Sequence, residues 1–216
     1  MFGLNLGLAT GGQKYKVIYK NGDDLRMDQL IIQMIVLMDH LMKDLNLDLR
    51  LTIYQVLAYG SVDGIMEFVP NSDTLQDILE DHRMLTNFFK KLTKDKMKAE
   101  MMKSMLDQTA STASRSRTAT NTPPEDYIDP QIMDNYIESL AGYCIITYFL
   151  GIGDRHLENL MLDNTGKIFH IDFGFAMGED PKMSNPPPFK LTGDMIQRKF
   201  PKNKIFPKFR NFCRIF

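Results

Sequence analysis

Residues 153–174 read GDRHLENLMLDNTGKIFHIDFG, and no other stretch restricts the fold of the chain so strongly. The apolar runs NLMLD and KIFHI are separated by NTGK, whose residues favour a turn, so the segment predicts a strand, a turn and a second strand. Asp154 stands five positions before the amide Asn159, and a second acid, Asp172, follows the hairpin. A hairpin returns its two ends to one place, so Asn159 and Asp172 are predicted to converge with Asp154 close by. Their hard oxygens suit magnesium, which neutralises a polyphosphate.

The rest of the chain must supply a framework for this loop. With 216 residues, 44% hydrophobic and 25% charged, it can bury a core of one large or two small domains. The net charge of −1 argues against a nucleic-acid partner. Charge is nevertheless segregated, at −5 over residues 1–89, +5 over 90–117, −7 over 118–177 and +6 over 178–216. The basic C-terminal stretch could meet an anionic surface, although such runs are more often solvated faces. Cys144 and Cys213 lie far apart, so neither a disulfide framework nor a zinc knuckle is indicated. The longest apolar run, 140–153, is shorter than the ~20 residues of a membrane span, and a basic-then-apolar leader is missing. The expectation is an intracellular protein without a transmembrane segment.

Along the chain, residues 1–12 contain four glycines and read as a loop or the tail of an element. KYKVIYK (14–20) alternates as a strand does. From Leu25 the apolar residues Leu30, Ile31, Met34, Ile35, Met38, Leu41, Met42 and Leu45 follow helical spacing, with Asp23 or Asp24 as N-cap. Residues 54–59 and 64–69 predict two strands, and short helices follow near 73–81 and 84–92. Residues 93–124 turn basic, Met-rich and then Ser/Thr-rich, which predicts a flexible insert. Asp129-Pro130 opens a long helix that ends at Gly151 and buries Ile132, Met133, Tyr136, Ile137, Leu140, Tyr143, Cys144, Thr147 and Tyr148. Residues 175–216 are proline-rich, then basic and weakly helical.

GDRHLENLML, FHIDFG and, upstream, YKNGDDLR resemble the phosphatidylinositol 3-kinase family. AGYCIITYFLGIGDRHLENLML and DPKMSNPPPFKL most resemble its class III branch. The resemblance covers most of the chain outside 93–124. It implies an α+β, bilobal protein-kinase-like fold, with a partial N-lobe over 1–69 and a partial C-lobe over 70–216. The catalytic loop would span 153–162 and the activation loop 172–191. ATP and Mg2+, with Mn2+ as substitute, would be required, and phosphatidylinositol would be phosphorylated at its 3-hydroxyl in endosomal trafficking and autophagy. The resemblance also implies regulatory protein subunits and a cytoplasmic protein peripheral to endosomal or autophagic membranes.

Residue by residue, the resemblance assigns Lys20 to the ATP phosphates and the pair Asp28 and Tyr54 to the back of the nucleotide pocket. Backbone groups of Glu67 and Val69 would bind adenine at the hinge, with Met161 and Ile171 beneath it. Asp154 and His156 would lie nearest the attacking hydroxyl and the γ-phosphate, and Asn159 and Asp172 would be the metal ligands. An imidazole of pKa about 6.5 can accept a proton or, once charged, stabilise phosphoryl oxygens, and both roles stand open. His170, two positions before Asp172, is assigned a structural role. Lys182 and Lys190 are the basic residues of the activation loop, and their sparseness fits an unphosphorylated headgroup.

Three departures from the family pattern stand out. Met27 replaces an amide in GDDLRMD, the phosphate-covering loop is missing unless residues 1–12 are its remnant, and the closing C-terminal helices are missing. These predict a core cut at both ends, with little activity and an uncovered apolar patch at 205–216. A related protein kinase, or an inactive regulatory fragment, are the alternative readings.

Overall fold

The computed structural model describes residues 2–6, 15–109, 124, 126–181, 187 and 189–196. In chain order these form β1 (Phe2–Leu6), β2 (Tyr15–Asn21), α1 (Arg26–Asp44), β3 (Val56–Ala58), β4 (Asp63–Glu67) and β5 (Ser72–Thr74). Then come α2 (Leu75–His82), α3 (Leu85–Thr109), α4 (Pro130–Leu150), a 3-10 turn (Leu157–Asn159), β6 (Leu160–Asp163) and β7 (Ile168–His170). β1, β2, β4 and β3 pair in that order as an antiparallel sheet, and β5, β6 and β7 form a second one. The chain leaves the first sheet at Glu67 and enters the second at Ser72.

Helix α1 packs against the first sheet as its spacing predicts, burying Ile31, Ile32, Ile35 and Met42. The apolar stripe is narrower than the sequence suggests, because Leu30, Leu41 and Leu45 face solvent. Neither Asp23 nor Asp24 is its N-cap. That position is Leu25, while Asp24 accepts from the Arg26 N–H at 3.1 Å and pairs with the Arg26 side chain, and Asp23 is taken by Lys20.

Helix α4 starts and stops where capping chemistry dictates. Asp129 accepts from the Gln131 N–H at 2.7 Å, Pro130 follows in the first turn, and Gly151 closes the helix at φ 53°. Tyr148, expected on the buried side, is exposed. The C-terminal half of α4 joins α1 and the first sheet in one core, and its N-terminal half joins α2, α3, β6 and β7 in another. α4 therefore lies beneath the hairpin and belongs to both cores.

Two expectations need correction. Of the two readings of residues 1–12, the loop fails and the element stands, for residues 2–6 are a strand, β1, in register with β2 from Phe2↔Tyr19 to Leu6↔Tyr15. Residues 93–109 are not flexible, because α3 runs unbroken to Thr109. Lys, Met, Ala, Glu and Leu dominate 94–106, and all are strong helix formers, which outweighs their poverty in core contacts. The Ser/Thr-rich residues 110–123 lie outside the described residues, as do 197–216, including the apolar side chains expected to be uncovered there.

Candidate active site

Between the two sheets lies a cleft of about 590 Å3. β2 lines it with Lys16, Ile18 and Lys20, which share one face by strand alternation, and with Val17 between them. The second sheet and the segment after it contribute Asn159, Met161, Phe169, Ile171 and Asp172. Tyr54, Glu67 and Val69 line it as well, which leaves Asp28 alone of the residues assigned to this pocket outside its lining. Asp28 meets the segment after Asp172 through the Phe173 N–H, and Asp154 lines a neighbouring pocket of about 330 Å3 together with Lys190. Lys182 lies outside the described residues.

At the chain crossing, pairing leaves two polar atoms open. The Glu67 N–H donates to the Gln55 carbonyl at 2.8 Å, but the Gln55 N–H donates to the Glu67 carboxylate instead of its carbonyl. The Val69 carbonyl accepts from the Ser72 hydroxyl at 2.8 Å. Among the described residues, the Glu67 carbonyl and the Val69 N–H have no hydrogen-bond partner, an acceptor and a donor at the cleft wall. Met161 and Ile171, with Phe169, line the same cleft.

The Lys20 ammonium meets Asp23 at 2.8 Å. Burial works against its charge, but Asp23, with Asp172 and Asp28, outweighs this and raises its pKa above the usual value. Asp28 is buried and accepts from the Phe173 N–H at 3.0 Å, fixing the chain just after Asp172. Burial raises its pKa, with Asp172 adding repulsion and the Phe173 bond opposing both. A carboxylate whose folded pKa is raised costs stability as the pH climbs from the unfolded value of about 3.9 through the folded one, and the full cost stands above it. Asp28→Asn, which keeps an acceptor for Phe173, is therefore expected to raise Tm at pH 7 and to leave Tm near pH 4 almost unchanged, as calorimetry would show.

The catalytic loop is held by backbone contacts on one side and an arginine on the other. The N–H groups of Gly153, Met177 and Gly178 donate to Phe175, Leu150 and Gly151 at 2.9 Å each. Arg155 donates to the Gly153 carbonyl at 2.7 Å, to Ile171 at 2.9 Å and to the Asp172 carbonyl, and lies over the Phe173 ring. It thus joins the loop to the far end of the hairpin. Asp154 and Asp172 both have left-handed backbone, φ 51° and 59°. Non-glycine residues hold that conformation at a cost, and such strain concentrates at functional sites. The Asp154 N–H donates to Asp180 at 2.9 Å.

His156 sits between two carboxylates, with Nε2 3.7 Å from Asp154 Oδ2 and Nδ1 3.6 Å from Glu158 Oε2. The Asn159 amide nitrogen donates to the Asp154 carbonyl at 3.0 Å, which leaves Oδ1 as its outward ligand atom. Among the described residues no three His, Cys, Asp or Glu side chains gather to hold an ion alone. One amide and one carboxylate oxygen at the cleft do fit a magnesium ion that draws its other ligands from phosphates and water.

His170 is buried, 3.4 Å from the Thr147 hydroxyl and against the Tyr143 ring. Burial, then the Arg155 charge, pulls its pKa well below 6.5. The unfolded chain would take up a proton there that the folded chain refuses, so stability falls as the pH drops below about 6.5 and is unaffected above it. His170→Gln is expected to flatten the fall in Tm between pH 6.5 and 5, measured against the parent chain.

Sequence reasoning passed over Arg155, Asp180 and the polar wall made by Asp73, Thr74 and Asp77. The central position of Arg155 in the DRH triplet was the available signal for the first. The others depend on β5 pairing with β6 and on the chain folding back after Phe175, which local sequence does not announce.

Residues 14–216 match the sequence pattern of the family described as Phosphatidylinositol 3- and 4-kinase. The chain is similar to "Phosphatidylinositol 3-kinase VPS34" of Arabidopsis thaliana, at 42% identity over 94% of this chain and 22% of the relative. "Phosphatidylinositol 3-kinase pik3" of Schizosaccharomyces pombe is 41% identical over 94% of this chain and 22% of its own length. "Phosphatidylinositol 3-kinase VPS34" of Saccharomyces cerevisiae is 38% identical over 95% of this chain and 20% of the relative. The chain spans about a fifth of the length of these curated relatives. The matched span takes in every strand but β1, the cleft between the sheets and the strained catalytic loop, so the chain belongs to the phosphatidylinositol 3- and 4-kinase family.

Proposed function

We propose that this chain is the catalytic part of a kinase that transfers the γ-phosphate of ATP to the 3-hydroxyl of unphosphorylated phosphatidylinositol. The observation that carries the reading is the meeting of Lys20, Asn159 and Asp172 in one cleft whose opposite wall offers the Glu67 carbonyl and the Val69 N–H. Adenine would occupy that wall above Met161 and Ile171, Tyr54 and Asp28 would close the back, and Lys20 would meet the phosphates. Asn159 and Asp172 would hold magnesium, with manganese as its substitute, which supplies neutralisation of phosphate charge.

The reaction asks mainly for positioning and electrostatic stabilisation. The inositol oxygen forms its bond to the γ-phosphorus as the bond to the bridging oxygen breaks, and the electron pair leaves with ADP. His156 Nε2 would take the hydroxyl proton, and Asp154, 3.7 Å from that nitrogen, with Glu158, 3.6 Å from Nδ1, would stabilise the cation that results. Lys190, beside Asp154 in the neighbouring pocket, would meet the single phosphodiester of the lipid, with Lys182 as a second contact. Few cations on that segment favour a headgroup without further phosphates. The activity would belong to endosomal and autophagic membranes, with regulatory subunits, which is what the class III resemblance implies.

Calorimetric titration with ATP and magnesium tests the cleft, where Lys20→Met is expected to weaken binding roughly ten- to a hundredfold, as loss of a charged hydrogen bond does. Vesicles carrying phosphatidylinositol and its bisphosphate, offered together with a generic peptide, test the acceptor. Phosphate should appear on phosphatidylinositol. Preference for the bisphosphate or the peptide would refute this reading.

A further inference from the structure

Helix α3 enters the second core through Leu85, Phe88, Phe89 and Leu92 and then leaves it, for every side chain from Lys98 to Leu106 is exposed. Its last firm anchor is Lys96, whose ammonium meets Asp129 at 2.6 Å. At 100° per residue, Lys90, Lys94, Lys98, Met101 and Met105 fall within one sector of about 80°, with Lys91 and Met102 at its edge. Met101, Met102 and Met105 are 53%, 75% and 63% exposed. Among the described residues two carboxylates meet this face: Asp126 pairs with Lys90, and Asp95 stands 3.8 Å from Lys98 with both side chains in solvent, where an ion pair counts for little.

An apolar stripe left in water needs a partner, and lysines continuing the same stripe state its charge. The ridge is convex, and the shallow depression beside it is lined by lysines and polar groups rather than by an apolar groove fit for a peptide. Unbranched thioethers beside long lysine stems suit the boundary between headgroups and acyl chains, since lysines keep their charge at the phosphates while their methylenes lie deeper. We propose that the ridge formed by Lys91, Lys94, Lys98, Met101 and Met105 docks onto an anionic phospholipid surface. This contact is separate from the catalytic cleft and does not depend on turnover.

Phosphatidylserine tests it, because that lipid is not the proposed substrate. The purified chain is expected to co-sediment with vesicles of phosphatidylcholine and phosphatidylserine, and less as salt is raised. Lys91→Gln, Lys94→Gln and Lys98→Gln together should weaken binding on the order of a hundredfold. Met101→Ser with Met105→Ser should weaken it by about tenfold through the apolar half alone. Arg83→Gln with Lys103→Gln, which removes charge away from the ridge, should bind like the parent chain. Equal binding to pure phosphatidylcholine, no binding by the parent chain, indifference to the triple substitution, or stronger capture by soluble polyglutamate would overturn the proposal.

Discussion

Asp172→Ala is expected to lower phosphate transfer about a thousandfold, the effect of removing a fixed charge from the place where transition-state charge develops. Asp172 is the carboxylate at the end of the hairpin that lines the cleft with Asn159 and Lys20, and other groups hold its position. Its carbonyl is gripped by Arg155, and the next residue donates its N–H to Asp28. The backbone at φ 59° adds a complication, because alanine tolerates that region less well than aspartate. Asp172→Asn separates the two effects, since it keeps the conformational tolerance and loses only the charge. Both variants should fail in the lipid assay, and Asp172→Asn should keep the Tm of the parent chain. Full activity in either would remove Asp172 from the site.

Phe89→Ala should cost about 3–5 kcal/mol of stability. Phe89 is fully buried, 5.0 Å from the Tyr136 ring and 6.1 Å from Phe88, and its carbonyl accepts from the Thr93 hydroxyl. The ring fills the space between α3 and α4, two helices that cannot close on the gap without moving α4 off the hairpin. For a chain of this length the loss corresponds to roughly 10 °C in Tm. Calorimetry would register it, and a shift of only one or two degrees would mean that the second core repacks freely.

The sequence showed most of what local chemistry decides. α4 was legible end to end because Asp129-Pro130 and Gly151 are unambiguous caps around an apolar run. β6 and β7 are legible because two short apolar runs flank the turn residues NTGK. β5 was not, since Ser72, Asp73 and Thr74 have little strand preference and pair only because β6 lies beside them. The continuation of α3 is hidden by composition, because few core residues follow Leu92 and strong helix formers alone sustain the helix there. In the site, residue types and spacing brought Asn159 and Asp172 together and the family resemblance alone added Lys20, while nothing local indicated the left-handed backbone of Asp154 and Asp172 or the grip of Arg155. Those depend on segments joined only after the chain has folded.

The bond from Phe173 to Asp28 spans 145 residues, and it is among the contacts that tie α1 to the catalytic hairpin. At about 5–20 residues per second, a ribosome that has made Asp28 needs roughly 7–30 s to reach its partner. For that interval Ile31, Ile32 and Ile35 of α1 have the first sheet but not the α4 and hairpin residues that complete their core. The N-terminal part of this chain is thus born sticky, and its yield in a cell depends on who shields it until Phe173 emerges.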